Sequence, residues 1–129
     1  MAIQGNGFTV NESKFDFFFG RVTSTPTNAR RSNDNLENLK TLGIEEATGG
    51  RERLLQIFHE GLNAPEVPNS RKITQYGINI SRKVEVSEPE TTGAIIVRYY
   101  YPGGDLFAIP QVTSIVVLIR SEERRVGKE

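Results

Sequence analysis

The sequence predicts a single α+β domain over residues 1–120, with two short N-terminal helices packed on a three- to four-stranded antiparallel sheet. Three observations carry this expectation. Apolar residues recur at a helical period between Ser32 and Leu62, the period changes to two near Arg71, and Ala94–Tyr101 (AIIVRYYY) is the most strand-like run in the chain. Leu36, Leu39, Leu54, Leu55 and Phe58 need an apolar partner, and only the later strands supply one.

Gly5-Asn6-Gly7 opens with turn chemistry, and five of the seven phenylalanines follow between Phe8 and Phe19. That density reads as a lid or first strand packed under the core, or as an exposed docking patch. Gly20 ends the cluster, and Arg21 to Asn28 reads as an irregular polar loop. Ser32 or Asn33 caps the first helix, Asp34 suits its first turn, and Leu36, Leu39 and Leu42 keep i, i+3 spacing until Gly43 stops it. After Thr48-Gly49-Gly50, a second helix places Leu54, Leu55, Phe58 and Leu62 on one face, with Gly61 near its end.

Asn63–Ser70 (NAPEVPNS) is a connector with two prolines. Tyr76, Ile78, Ile80, Val84 and Val86 then share one strand phase, which Arg82 interrupts. A bulge or turn re-aims Arg82, or the strand ends near Ser81 and restarts, or the guanidinium lies on the floor of a site. The turn-rich Ser87–Gly93 closes an antiparallel hairpin with Ala94–Tyr101. In that run Ile95, Val97, Tyr99 and Tyr101 share a face that reads as core. Ala94, Ile96, Arg98 and Tyr100 share the other, which is either covered or a floor that meets a ligand. Pro102–Asp105 reverses the chain, Leu106–Ile109 reads as a short edge strand ended by Pro110, and Val112–Ile119 as a final buried strand. Ser121–Glu129 has no apolar period and alternates charge, so it reads as a frayed, disordered charged tail or an artefactual end.

The 129 residues are enough for one domain with a real core, although 36% hydrophobic content and a mean hydropathy of −0.41 leave room for loops. Without cysteine there is no disulfide framework or thiolate chemistry, and a single His makes a His/Cys zinc site implausible, so no metal and no cofactor is expected. No apolar stretch approaches the roughly 20 residues that cross a bilayer, and the first ten residues lack the pattern of a secretion signal. The expectation is a soluble chain that does not meet the membrane, with its oligomeric state open. Residues 1–70 hold seven Lys or Arg against nine Asp or Glu, and residues 71–120 hold six against four. An excess of two positive charges permits a local basic patch but does not by itself imply nucleic acid.

His59 stands alone, with Asn63 where a helical zinc motif would need a second His, and its place near a helix C-terminus suits the helix dipole. Gly5-Asn6-Gly7 and Gly49-Gly50 lack the rest of a phosphate-loop fingerprint. The remaining constellation is Arg98 and Tyr100 on the sheet, with Arg82, and Arg21, Asn28, Arg30 and Arg31 in the polar loop. Guanidinium groups hold phosphates bidentately and stabilise charge on a phosphorane, and tyrosine stacks on unpaired bases. Arg98, Tyr100, Arg31 and Asn28 are the candidate catalytic residues and Arg21 and Arg82 the candidate substrate-binding ones; surface arginines and a tyrosine ladder are also commonly structural.

Phe15-Asp16-Phe17-Phe18-Phe19-Gly20-Arg21-Val22, continued by Ser24, Asn28, Arg31-Ser32, Asn35, Leu39 and Leu42-Gly43-Ile44, resembles a motif of the C-terminal modules of bacterial polymorphic toxins. Those modules end long secreted proteins of hemagglutinin-like, RHS-like or Hint-bearing type. The resemblance spans residues 3–119, and its specific part is 15–44. It implies a toxin module, commonly a nuclease, delivered as part of a secreted protein, acting in the cytoplasm and neutralised by a cognate immunity protein. The family pattern has His before its Asn, where this chain has Thr27. If that His is catalytic, this copy is inactive or uses Arg31 instead. Together these lines give a metal-independent ribonuclease with RNA as substrate; the alternative is a non-enzymatic interaction module, immunity-like or adaptor.

Overall fold

The computed structural model describes residues 2–5, 7–22, 24–87 and 92–119. The chain runs β1 (Ala2–Gln4), β2 (Thr9–Asn11), α1 (Lys14–Phe18), α2 (Pro26–Thr41), a 3-10 turn at Glu46–Thr48, α3 (Gly50–Gly61), β3 (Lys72–Ile73), β4 (Gly77–Ser87), β5 (Thr92–Pro102) and β6 (Gln111–Ile119). The strands form one six-stranded sheet in the order β1-β2-β6-β5-β4-β3. All neighbours are antiparallel except β2 and β6, which pair in parallel through Thr9↔Gln111 and Val10↔Val112.

This corrects the expected three- to four-stranded antiparallel sheet with two short N-terminal helices. The chain is α+β, but its sheet is mixed, the described residues form three α-helices, and β1 and β2 precede them. β1 and β2 have three residues each and β3 has two, too few for a period to register, so they exist through pairing with longer strands. The polar loop is corrected as well: α2 has 16 residues and starts at Pro26 rather than at Ser32 or Asn33. Thr25 is extended and its Oγ1 accepts the Asn28 N–H at 3.0 Å, while Pro26 at the first helical position loses no hydrogen bond.

β4 and β5 form the expected hairpin, in register from Gly77↔Pro102 to Ser87↔Thr92. Ile95, Val97, Tyr99 and Tyr101 are all buried, as are Ile115 and Val117 opposite them on β6. Phe15 and Phe18 of α1, Leu39 of α2, and Leu54, Ile57 and Phe58 of α3 join that face in one core. Of the two readings of the phenylalanine cluster, packing under the core holds and the docking patch does not. Phe8, Phe15, Phe18 and Phe19 are at most 4% exposed, so they form no docking patch, and the segment holds a helix as well as the short β2. Leu106–Ile109 is not a strand either; the Phe107 N–H donates to Asp105 Oδ1 in a turn that leaves Phe107 wholly exposed.

α3 lies close to the sheet. A Cβ on Gly61 would come within 2.2 Å of the Tyr99 hydroxyl, so only glycine permits this approach. The Tyr99 hydroxyl donates to the Phe58 carbonyl at 2.6 Å, satisfying an acceptor in the last turn of α3. The tail at residues 121–129 and the loop at residues 88–91 lie outside the described residues.

Candidate functional site

Arg98 and Tyr100 alternate with the core residues of β5 and therefore sit on the sheet face away from the helices. Arg98 is exposed, and its guanidinium makes no hydrogen bond or ion pair with another described residue. Its neighbours are Ser81 on β4 and Ser114 on β6. The pairing of β5 with β6 slips between Arg98 and Tyr99, a bulge that makes Thr113 an extra residue on β6. The Thr113 hydroxyl donates to the Arg98 carbonyl at 3.4 Å. Tyr100 is half-buried and its hydroxyl donates to the Tyr76 carbonyl at 2.8 Å, which orients the ring.

Asn28 and Arg31 lie one helical turn apart on α2 and line one pocket of about 450 Å³ with Ser13, Lys14, Asp16, Phe17, Val22, Thr113 and Ser114. An adjoining pocket of about 410 Å³ shares Phe17, Arg31 and Ser114 and continues along α2 past Asp34, Asn35 and Asn38. Ser114 is thus the link between the two halves, being the cross-strand partner of Arg98 and a wall of both pockets. Lys14, Thr113 and Ser114 were absent from the sequence expectation. Hydroxyl residues in an apolar strand carried no distinguishing signal, because which strand edge faces α2 depends on tertiary packing.

The other two arginines lie elsewhere. Arg21 Nε donates to Asp16 Oδ1 at 2.8 Å, and its Nη1 is hydrogen-bonded to Glu46 Oε1. Those bonds, to Glu46 first and Asp16 second, raise the Arg21 pKa above its ordinary value. Arg82 shares the helix-side face with Ile80 and Val84, and β4 passes through it without a break. Its Nη1 donates to the Ala64 carbonyl at 2.9 Å beyond the end of α3, and its Nε is buried without a partner among the described residues. Arg82 and Arg98 are therefore on opposite faces of the sheet. Ser32, from the toxin-like motif, is fully buried; it donates to the Phe17 carbonyl at 2.7 Å and accepts the Val22 N–H at 3.3 Å. It fastens the segment after α1 to α2.

The arrangement offers a hydroxyl-lined cleft beside β6 that holds Lys14 and Arg31, and one strand away a guanidinium unpaired among the described residues, chemistry suited to a phosphodiester. No cluster of three potential metal ligands occurs among the described residues. No helix there is long and apolar enough to cross a membrane.

No protein-family model and no curated protein matches the chain. Among solved structures it is similar to a chain of a contact-dependent growth inhibition toxin and immunity protein complex from Klebsiella pneumoniae 342. The likeness has a TM-score of 0.66 at 19% identity and covers 84% of this chain and 97% of that one. At that identity the shared property is the fold.

Proposed function

We propose that the chain is a toxin-type module that cleaves RNA, using Arg98 and Tyr100 on the open sheet face with Asn28 and Arg31 in the cleft beside β6. The observation that carries this reading is the exposed Arg98, whose guanidinium has no partner among the described residues, cross-strand from the Ser114 that walls the Arg31 cleft. The fold shared with a chain of a toxin and immunity protein complex supports the toxin half of the reading. In a metal-independent cleavage the 2′-hydroxyl attacks phosphorus and gives its proton to solvent water, the P–O5′ bond breaks, and the 5′-oxygen takes a proton from water as it leaves, so a 2′,3′-cyclic phosphate and a free 5′-hydroxyl result. Arg98 and Arg31 would bind the non-bridging oxygens, where negative charge grows in the transition state. Tyr100, oriented by Tyr76, offers a ring for an unpaired base, and Arg21 and Arg82 would act on substrate only at a distance. A cognate immunity protein is the implied partner, and the cytoplasm, reached as part of a secreted protein, the implied place of action.

Incubation of the purified chain with total RNA should give discrete products, and Arg98→Ala should abolish them with an unchanged far-UV spectrum. Intact tRNA, mRNA and ribosomal RNA would refute the reading. The second reading, an immunity-like or adaptor module, draws on the same complex, which joins a toxin to an immunity protein, and on the wholly exposed Phe107. Induced expression separates the two, because a toxin arrests growth and an interaction module does not.

A further inference from the structure

The two long outer edges of the sheet's central strands are treated differently. On the β4 side, β3 pairs with Ile78 and Asn79, the Val67 N–H donates to the Ser81 carbonyl at 2.8 Å, and the Lys83 N–H donates to the Pro65 carbonyl at 3.0 Å. That edge is covered by β3 and the connector from Ile78 to Lys83. On the β6 side, β2 pairs only with Gln111 and Val112, and no described strand continues along Thr113–Ile119. Every second residue of such an edge turns its N–H and C=O outward, and a strand there would extend for about 23 Å at about 3.3 Å per residue.

Sheet edges are usually blunted by charge, proline or a covering segment. Thr113–Ile119 (TSIVVLI) has no charge and no proline, and its one irregularity is the bulge at its start. Val116 is 52% exposed. Four consecutive β6 residues, Ser114 to Val117, line the 410 Å³ groove, so the groove meets the strand at its edge and not on one face alone. Its far wall is the polar side of α2, where Asp34, Asn35 and Asn38 can hydrogen-bond a main chain.

We propose that this edge receives an extended strand of the cognate immunity protein, paired to β6 by main-chain hydrogen bonds and flanked by α2. The identity of the partner rests on the toxin reading above; the pairing rests on the open edge. The α2 residues Asp34, Asn35 and Asn38 stand beside this edge, and a second copy of this chain would bring its own α2 to the same place. The groove shares Phe17, Arg31 and Ser114 with the candidate cleft, so a strand seated there covers Arg31 and closes the cleft to RNA. Neutralisation then follows from occlusion.

The test uses the full chain and the product of the gene adjoining its own, followed by residue-resolved amide exchange. Alternate amides of Thr113–Ile119 should slow at least tenfold on mixing, and Val116→Lys and Asn38→Trp should each weaken binding at least tenfold with an unchanged melting midpoint. The pairing is overturned if the adjoining product fails to bind, if it binds with β6 amides unchanged, or if both variants bind as the parent does. Slowing that depends on the chain's own concentration, without the second protein, would assign the edge to self-association and also overturn it. Cleavage of RNA without β6 protection removes only this inference; β6 protection without cleavage removes only the ribonuclease reading.

Discussion

At the residue scale, Arg82 and Arg98 show how one side-chain type divides into a structural and a candidate functional role. Sixteen positions apart and on paired strands, they face opposite sides of the sheet because β4 stays in phase through Arg82. The sequence left the direction of Arg82 open, since its orientation depends on the carbonyls beyond α3, which periodicity does not reveal. The apolar face of β5, by contrast, was legible in Ile95, Val97, Tyr99 and Tyr101, where alternation alone separates core from surface. Tyr99 carries a sharper prediction. Tyr99→Phe should cost about 1–3 kcal/mol by leaving the Phe58 carbonyl without its donor. Burial pushes the Tyr99 phenol well above the ordinary tyrosine value. The unfolded phenol loses its proton near about pH 10 while the folded one keeps it, so this contribution to stability is whole below that pH and declines above it. Denaturant melts across alkaline pH should show a steeper loss for the parent than for Tyr99→Phe; equal slopes would refute the assignment.

At the element scale, α2 is where sequence and structure part most usefully. Its apolar stripe, Leu36, Leu39 and Leu42, was visible, but its first turns carry Thr27, Asn28, Arg30 and Arg31 and show no apolar period. Thr25-Pro26 held the signal, a capping hydroxyl before a proline at the first helical position. Placing Asn28 and Arg31 on a helix instead of a loop fixes their spacing and brings both to one wall of the cleft. Thr25→Ala should lower stability by about 1 kcal/mol through loss of the cap to the Asn28 N–H, and a chemical melt measures it. An unchanged midpoint would mean that α2 does not depend on this cap. The helix α1 was hidden for a different reason: Phe15, Phe17, Phe18 and Phe19 are apolar in nearly every phase, so neither period stands out.

At the scale of the whole molecule, the hairpin of β4 and β5 and the strand β6 were readable because each is long enough to show its alternation, although β6 is buried only at Val112, Ile115 and Val117 and not along its whole length as expected. The short β1, β2 and β3 were not, because partners distant in sequence create them. That same tertiary pairing decides where the sheet is closed and where it is open, and hence where the cleft lies. The candidate residues divide accordingly: Asn28 and Arg31 meet in the cleft, Arg98 and Tyr100 lie on the adjacent open face, and Arg21 and Arg82 are held by structural bonds. The central claim is that Arg31 and Arg98 serve one reaction across Ser114. Its most direct measurement is the RNA cleavage rate of Arg31→Ala, Arg98→Ala and the double variant, with melting midpoints as the folding control. If the two guanidinium groups stabilise one transition state, each single change should lower the rate by about 100-fold or more, and the double variant should lose little beyond the larger single loss. Strictly multiplicative losses, or parent-like cleavage by either single variant, would contradict a shared site.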